Sequence, residues 1–218
     1  MKKLILSIVT VGLAMGACAQ GLVSLSDSSQ QVSTNMVSVG GTQGSMLQPA
    51  GTYYFELLFV PNTGQGLPTF GTATLGAWTD STMSGTNQGN GIPTAAYIGH
   101  IIGQNAAAGE AVTGWLSGAS AYYVVLGWTA NEGSWATVQN VLEGNASWLT
   151  TGTAGGLFGY SMVGYAVGGT SPAPATILFG TATGLINAGW DLNPVPEPSV
   201  LALAGLGGLS LLLMRRRH

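Results

Sequence analysis

The most regular pattern in the chain is a succession of short apolar runs set between glycine-rich polar breaks. "TYYFELLFV" (residues 52–60) and "AYYVVLGW" (residues 121–128) are dense in aromatic and β-branched residues, and both predict strands. "TFGTATLGAW" (69–78), "TAAYIGHII" (94–102), "GYSMVGYAV" (159–167) and "ATILFGTAT" (175–183) show the pattern more weakly and predict further strands. The breaks "PNTGQGLP", "SGTNQGNGIP" and "GGTSPAP" combine Gly, Pro, Asn and Ser and predict turns. About eight short strands at this spacing predict an all-β fold of the β-sandwich kind. One stretch has another period. After Ser134, the apolar Trp135, Val138 and Leu142 recur at intervals of three and four, which predicts one short helix over residues 135–143 with Ser134 as its N-cap.

Two apolar runs at the ends do not fit the strand pattern. Lys2 and Lys3 precede an apolar run over residues 4–14, and small residues follow it. Ala17 and Ala19 stand at the small-x-small positions before Gln20, the cleavage pattern of a secretory signal peptide. At the other end, residues 200–214 are all apolar or small. A helix over residues 199–214 would reach about 24 Å, against a hydrocarbon core of about 30 Å, so it predicts a single, short C-terminal transmembrane helix. Pro196, Glu197 and Pro198 precede it, and Arg215, Arg216 and Arg217 follow it. The prolines fix φ and hold their predecessors extended. The chain therefore divides into a signal peptide (1–19), a β-rich exported domain (20–193) and a tail (194–218).

The distribution of charge sharpens this picture. Charged residues are 6% of the chain, where an ordinary soluble domain has roughly 25%. All five basic side chains lie at the extremities, and residues 4–214 contain no lysine or arginine. Both basic clusters would stay on the cytoplasmic face, with the intervening body exported. A body without a basic patch excludes nucleic acid as a partner. Cys18 is the only cysteine, so cleavage after Ala19 leaves a mature protein without thiol or disulfide chemistry. A rival reading stays open there: Met15-Gly16-Ala17-Cys18 resembles the lipobox of bacterial lipoproteins, in which the cysteine is lipidated.

Candidate chemistry in the body is sparse. The acids Asp27, Glu56, Asp80, Glu110, Glu132, Glu143 and Asp191 are scattered, and no spacing marks two of them as partners. His100 is the one body histidine and sits in a strand candidate. No nucleophile elbow, phosphate loop or metal motif is present, so no catalytic residue, cofactor or metal site is expected. Six tryptophans (Trp78, Trp115, Trp128, Trp135, Trp148 and Trp190) would form sugar-binding platforms if exposed in a row, and core if buried. Phe70-Gly71-Thr72-Ala73-Thr74 recurs as Phe179-Gly180-Thr181-Ala182-Thr183, which in a strand would rank the threonines on one face.

The order of Val195-Pro196-Glu197-Pro198-Ser199, an apolar helix and Arg215-Arg216-Arg217 resembles the PEP-CTERM sorting signal of Gram-negative bacteria. The resemblance covers the last 24 or so residues. It implies an exosortase as partner, a membrane-embedded cysteine transpeptidase that cuts near the Pro-Glu-Pro element. It also implies transient residence in the inner membrane through the C-terminal helix, then delivery to the cell envelope or extracellular matrix. The expectation is a non-enzymatic structural or interaction protein of the envelope or biofilm matrix. The alternatives are a module binding the cell's own exopolysaccharide and, behind it, a hydrolase using two of the scattered acids.

Overall fold

In a computed structural model, the structure describes residues 20–26, 32–35, 43–45, 50–87, 100–103, 109–144 and 156–194. The signal-peptide residues Ala17 and Ala19, the tail residues Pro196, Glu197, Pro198, Arg215, Arg216 and Arg217, the predicted transmembrane helix and Trp148 lie outside the described residues. Among the described residues no helix is long and apolar enough to cross a membrane.

The described body is mostly β. Its strands are β1 (Gln20–Ser24), β2 (Val32–Asn35), β3 (Gln43–Ser45), β4 (Tyr53–Pro61), β5 (Thr79–Asn87), β6 (Ile101–Gly103), β7 (Glu110–Leu116), β8 (Ser120–Thr129), β9 (Leu157–Tyr160), β10 (Gly164–Val167), β11 (Thr176–Ile177) and β12 (Trp190–Pro194). A nine-stranded sheet runs in the order β3-β2-β12-β9-β8-β4-β5-β6, with β10 also paired to β8. A three-stranded sheet has the order β11-β1-β7.

The two most apolar runs become the middle of the large sheet. β4 and β8 pair antiparallel over their whole length, from Tyr53 opposite Thr129 to Pro61 opposite Ala121. Both faces of β4 are covered, which explains its nearly unbroken hydrophobicity. One face carries Tyr53, Phe55, Leu57 and Phe59, which pack with Val23, Val112 and Trp115 of the small sheet. Phe59 stacks on Trp115 with centroids 5.6 Å apart. The other face carries Leu58, flanked by the partly buried Tyr54 and Val60. It meets Phe70, Leu75, Trp78, Val138 and Leu142. These belong to or flank a 3-10 helix, η1 (Thr72–Ala77), and an α-helix, α1 (Trp135–Gly144). A small second sheet thus covers one face of the large sheet, and helical segments cover the other. This departs from the plain pair of sheets that the sequence predicts.

The helix at Trp135 forms as its period predicts, with Thr137 and Val138 N–H groups donating to the Ser134 carbonyl. β8 is completed along one edge by two strands. Leu126, Gly127 and Trp128 pair with β9, while Ser120 to Tyr123 pair with β10. Ser161 spans the break, its Oγ accepting the Val125 N–H at 3.0 Å and its own N–H donating to the Val125 carbonyl at 2.9 Å. Glycine is required here by close approach: a Cβ on Gly159 would lie 2.2 Å from the Asp191 carbonyl oxygen of β12.

Several strand expectations are corrected. "TFGTATLGAW" folds as η1, because the Thr74 hydroxyl donates to the Thr69 and Gly71 carbonyls and closes a turn. Its apolar residues Phe70, Leu75 and Trp78 then face one core. "ATILFGTAT" contributes only β11, and the chain turns back at Gly180 (φ 141°) so that Phe179 bridges Ile186. Neither Thr-Ala-Thr copy lies in a strand, so no ranked threonine face exists there. "GYSMVGYAV" is interrupted at residues 161–163 between β9 and β10. The first residues of "SGTNQGNGIP", read as a turn, are the end of β5. There Asn87 is buried and its Oδ1 accepts the Tyr53 N–H at 2.9 Å. The strands β1, β2, β3, β5, β7 and β12 were not among the predicted runs. Of the predicted "TAAYIGHII", residues 94–99 lie outside the described residues and the end forms β6.

Candidate functional site

Glu56 lies in the centre of β4, flanked by Phe55 and Leu57, and is 4% exposed. Alternation along the strand points its side chain to the same face as Tyr54 and Leu58, the face that α1 and η1 cover. Burying a carboxyl among apolar neighbours is costly unless it is neutral or paired with a cation. The body has no lysine or arginine to supply the cation.

The charged group that acts on it most strongly is instead another acid. β5 pairs with β4 at Glu56–Ser84 and Leu58–Asp80, and between these pairs β4 has one residue, whereas β5 has Ser81, Thr82 and Met83. This bulge holds Thr82 at φ 59°, a left-handed conformation that β-branched residues rarely adopt. The Asp80 Oδ1 supports the turn by accepting the Thr82 N–H at 2.7 Å. Asp80, opposite Leu58, therefore shares a face with Glu56 and is its diagonal neighbour across the two strands.

Two carboxyls in hydrogen-bond contact must hold a proton between them. Desolvation by burial, the Asp80 charge and hydrogen bond, and the Glu110 charge push the Glu56 carboxyl up from 4.5 to about 9. At neutral pH Glu56 is thus protonated and donates to the Asp80 carboxylate. Its Oε1 is buried and has no hydrogen-bond partner.

A cavity of about 290 Å³ opens beside Glu56, between the sheet and the start of α1. Its walls include Tyr54, Glu56, Ser84, Thr86, Trp128 and Trp135. Trp128 stands edge-on to Tyr54 at 6.3 Å and tilts against Trp135 at 5.8 Å. The Trp128 indole N–H donates to the Gly133 carbonyl at 2.9 Å, which ties the rings to the turn η2 (Ala130–Glu132) that leads into the helix. The cavity volume is near the lower limit of small-molecule sites.

The structure distributes the other candidate residues differently. Trp78, Trp115, Trp128 and Trp190 are buried and Trp135 is half-buried. The five described tryptophans form no exposed row, so the platform for sugar faces loses its support. His100 is buried just before β6. Gln20, the expected first residue after signal cleavage, opens β1, and its side-chain amide donates to the Thr113 hydroxyl at 3.5 Å. Among the described residues no group of three or more His, Cys, Asp or Glu could hold a metal ion.

The Glu56–Asp80 pair is the feature that sequence reasoning missed. One signal pointed to half of it: Glu56 is the only charge inside the most apolar strand of a chain that lacks internal cations. The identity of its partner depends on the bulge in β5, which no local pattern announces.

A family model of the PEP-CTERM protein-sorting motif matches residues 194–217. The match begins at Pro194, the last residue of β12. The motif implies exosortase-dependent sorting of an exported protein to the cell envelope or extracellular space. No match was found among curated proteins or solved structures.

Proposed function

We propose that the chain is a non-enzymatic structural or interaction protein of the cell envelope or extracellular matrix, delivered through its tail. A signal peptide directs export, and the apolar tail helix with Arg215, Arg216 and Arg217 retains the precursor in the inner membrane. An exosortase then acts at Pro196-Glu197-Pro198. The carrying observation is the join between body and tail: the motif starts where β12 ends, so a cut near Glu197 leaves every described strand intact.

The geometry of the acids supports a body without hydrolytic chemistry. Glycoside-cleaving pairs hold their carboxyls about 5–9.5 Å apart to admit a sugar or water. The hydrogen bond between Glu56 and Asp80 leaves no gap of that size between their carboxyls.

Mass spectrometry of both ends of the mature protein in its host tests the reading. The expected ends are Gln20 at the front and a residue near Glu197 at the back. Replacing Arg215, Arg216 and Arg217 by alanine should leave the back end unprocessed. Labelling that places the terminal arginines on the same side of the membrane as Trp128 in intact cells would refute it.

A further inference from the structure

We propose that the cavity between the sheet and the start of α1 binds a small organic ammonium ion, held among the rings of Tyr54, Trp128 and Trp135 and neutralised by Glu56. Four observations lead to this ligand class. Glu56 is 4% exposed, lines the cavity, and has an oxygen without a partner. Tyr54, Trp128 and Trp135 share that lining, and aromatic faces attract cations, the more so when desolvated. The carboxylates of Asp80 on β5 and Glu110 on β7 act on Glu56 with like charge. Finally, no lysine or arginine exists between residues 4 and 214, so the body supplies neither to relieve this charge.

Competing ligands fit less well. Calcium takes six to eight oxygens, and these walls are largely apolar and hold a single carboxyl. An anion would meet Glu56, with the charges of Asp80 and Glu110 acting behind it. The positive end of α1 at Ser134 and Trp135 is worth about half a charge. The carboxylates outweigh it, and Glu132 in the preceding turn opposes it as well.

Binding must be coupled to a proton. Without ligand, Glu56 keeps its proton up to about pH 9. The groups that act on it are Asp80 and Glu110; β8 places Leu126 opposite it, and α1 adds Trp135 to the cavity, neither of which titrates. A cation that pairs with the carboxylate displaces the proton to solvent. Choline is a suitable probe because its charge does not change with pH. Dimethylbutanol, its uncharged carbon isostere, has the same shape.

Isothermal titration of the full chain in a nonionic detergent, in buffers of different ionisation enthalpy, tests the proposal. Choline is expected to bind with release of about one proton, and its Kd should fall about tenfold per pH unit between about pH 6 and pH 8. Dimethylbutanol should bind far more weakly, and calcium should not compete. Glu56→Gln should abolish the pH slope and weaken choline binding while keeping the wild-type circular dichroism. Trp135→Leu, at a half-buried ring, should weaken binding and leave the slope in place. The proposal is overturned if choline fails to bind at the alkaline end. It is equally overturned by a Kd independent of pH, by equal binding of the neutral isostere, or by displacement of choline by calcium. None of these outcomes depends on how the tail is processed.

Discussion

Replacing Glu56 by glutamine is expected to stabilise the fold, and to do so increasingly as the pH rises. In the folded chain the carboxyl titrates at about 9, and in the unfolded chain near its ordinary 4.5. Between those values the folded state keeps a proton that the unfolded state has released. The stability associated with the neutral form is therefore complete below about pH 4.5 and is lost as the pH climbs towards 9. The slope is about 1.4 kcal/mol per pH unit. By pH 7 the wild type has lost about 3 kcal/mol, a large part of a typical stability of about 5–15 kcal/mol. Glutamine has nearly the same shape, cannot ionise, and can donate an amide N–H to Asp80 where the acid donated its O–H. The variant should match the wild type below about pH 4.5, exceed it by about 3 kcal/mol near neutrality, and gain nothing more beyond about pH 9. Urea unfolding across this range, followed by the fluorescence of the buried tryptophans, measures the gap. All other titrating groups are common to both proteins, so the difference isolates Glu56. A gap that does not change with pH, or a variant less stable than wild type at neutral pH, would refute the assignment of a neutral buried acid.

Other positions give simpler expectations. Tyr123 donates its hydroxyl proton to the Leu178 carbonyl and accepts the Ile186 N–H at 3.3 Å, and burial pushes its phenol well above the ordinary value. Tyr123→Phe removes the hydroxyl bonds while the Ile186 N–H still donates to the Leu178 carbonyl at 3.1 Å, and should lower stability by about 0.5–1.5 kcal/mol in the same urea assay. Gly159→Ala drives a methyl group into the Asp191 carbonyl, so β9 and β12 must separate; faster hydrogen exchange at Leu192 and Asn193, and a loss of about 1–3 kcal/mol, are the expected signs. Trp115→Ala removes the ring stacked on Phe59 between the two sheets and should cost about 3–5 kcal/mol in thermal or urea unfolding.

The chain by itself determined where the protein is addressed and what lies at its centre. The PEP-CTERM tail is legible because its signal is a linear order of residue types. The helix at Trp135 is legible because a 3.6-residue period is local. β4 and β8 are legible because strands buried on both faces must be apolar almost throughout. The tertiary structure decided the rest. "TDSTMSGTN" is a poor strand on its own terms and becomes β5 only because β4 offers it a ladder, with Met83 and Asn87 turned inward. A tryptophan reads the same in sequence whether platform or core, and packing between layers buried Trp78, Trp115, Trp128 and Trp190. Glu56 and Asp80 are 24 positions apart, and a bulge brings them into contact. Periodicity reports which face of an element is apolar. It is silent on which strand lies alongside, and the charge state of a buried acid depends on that neighbour.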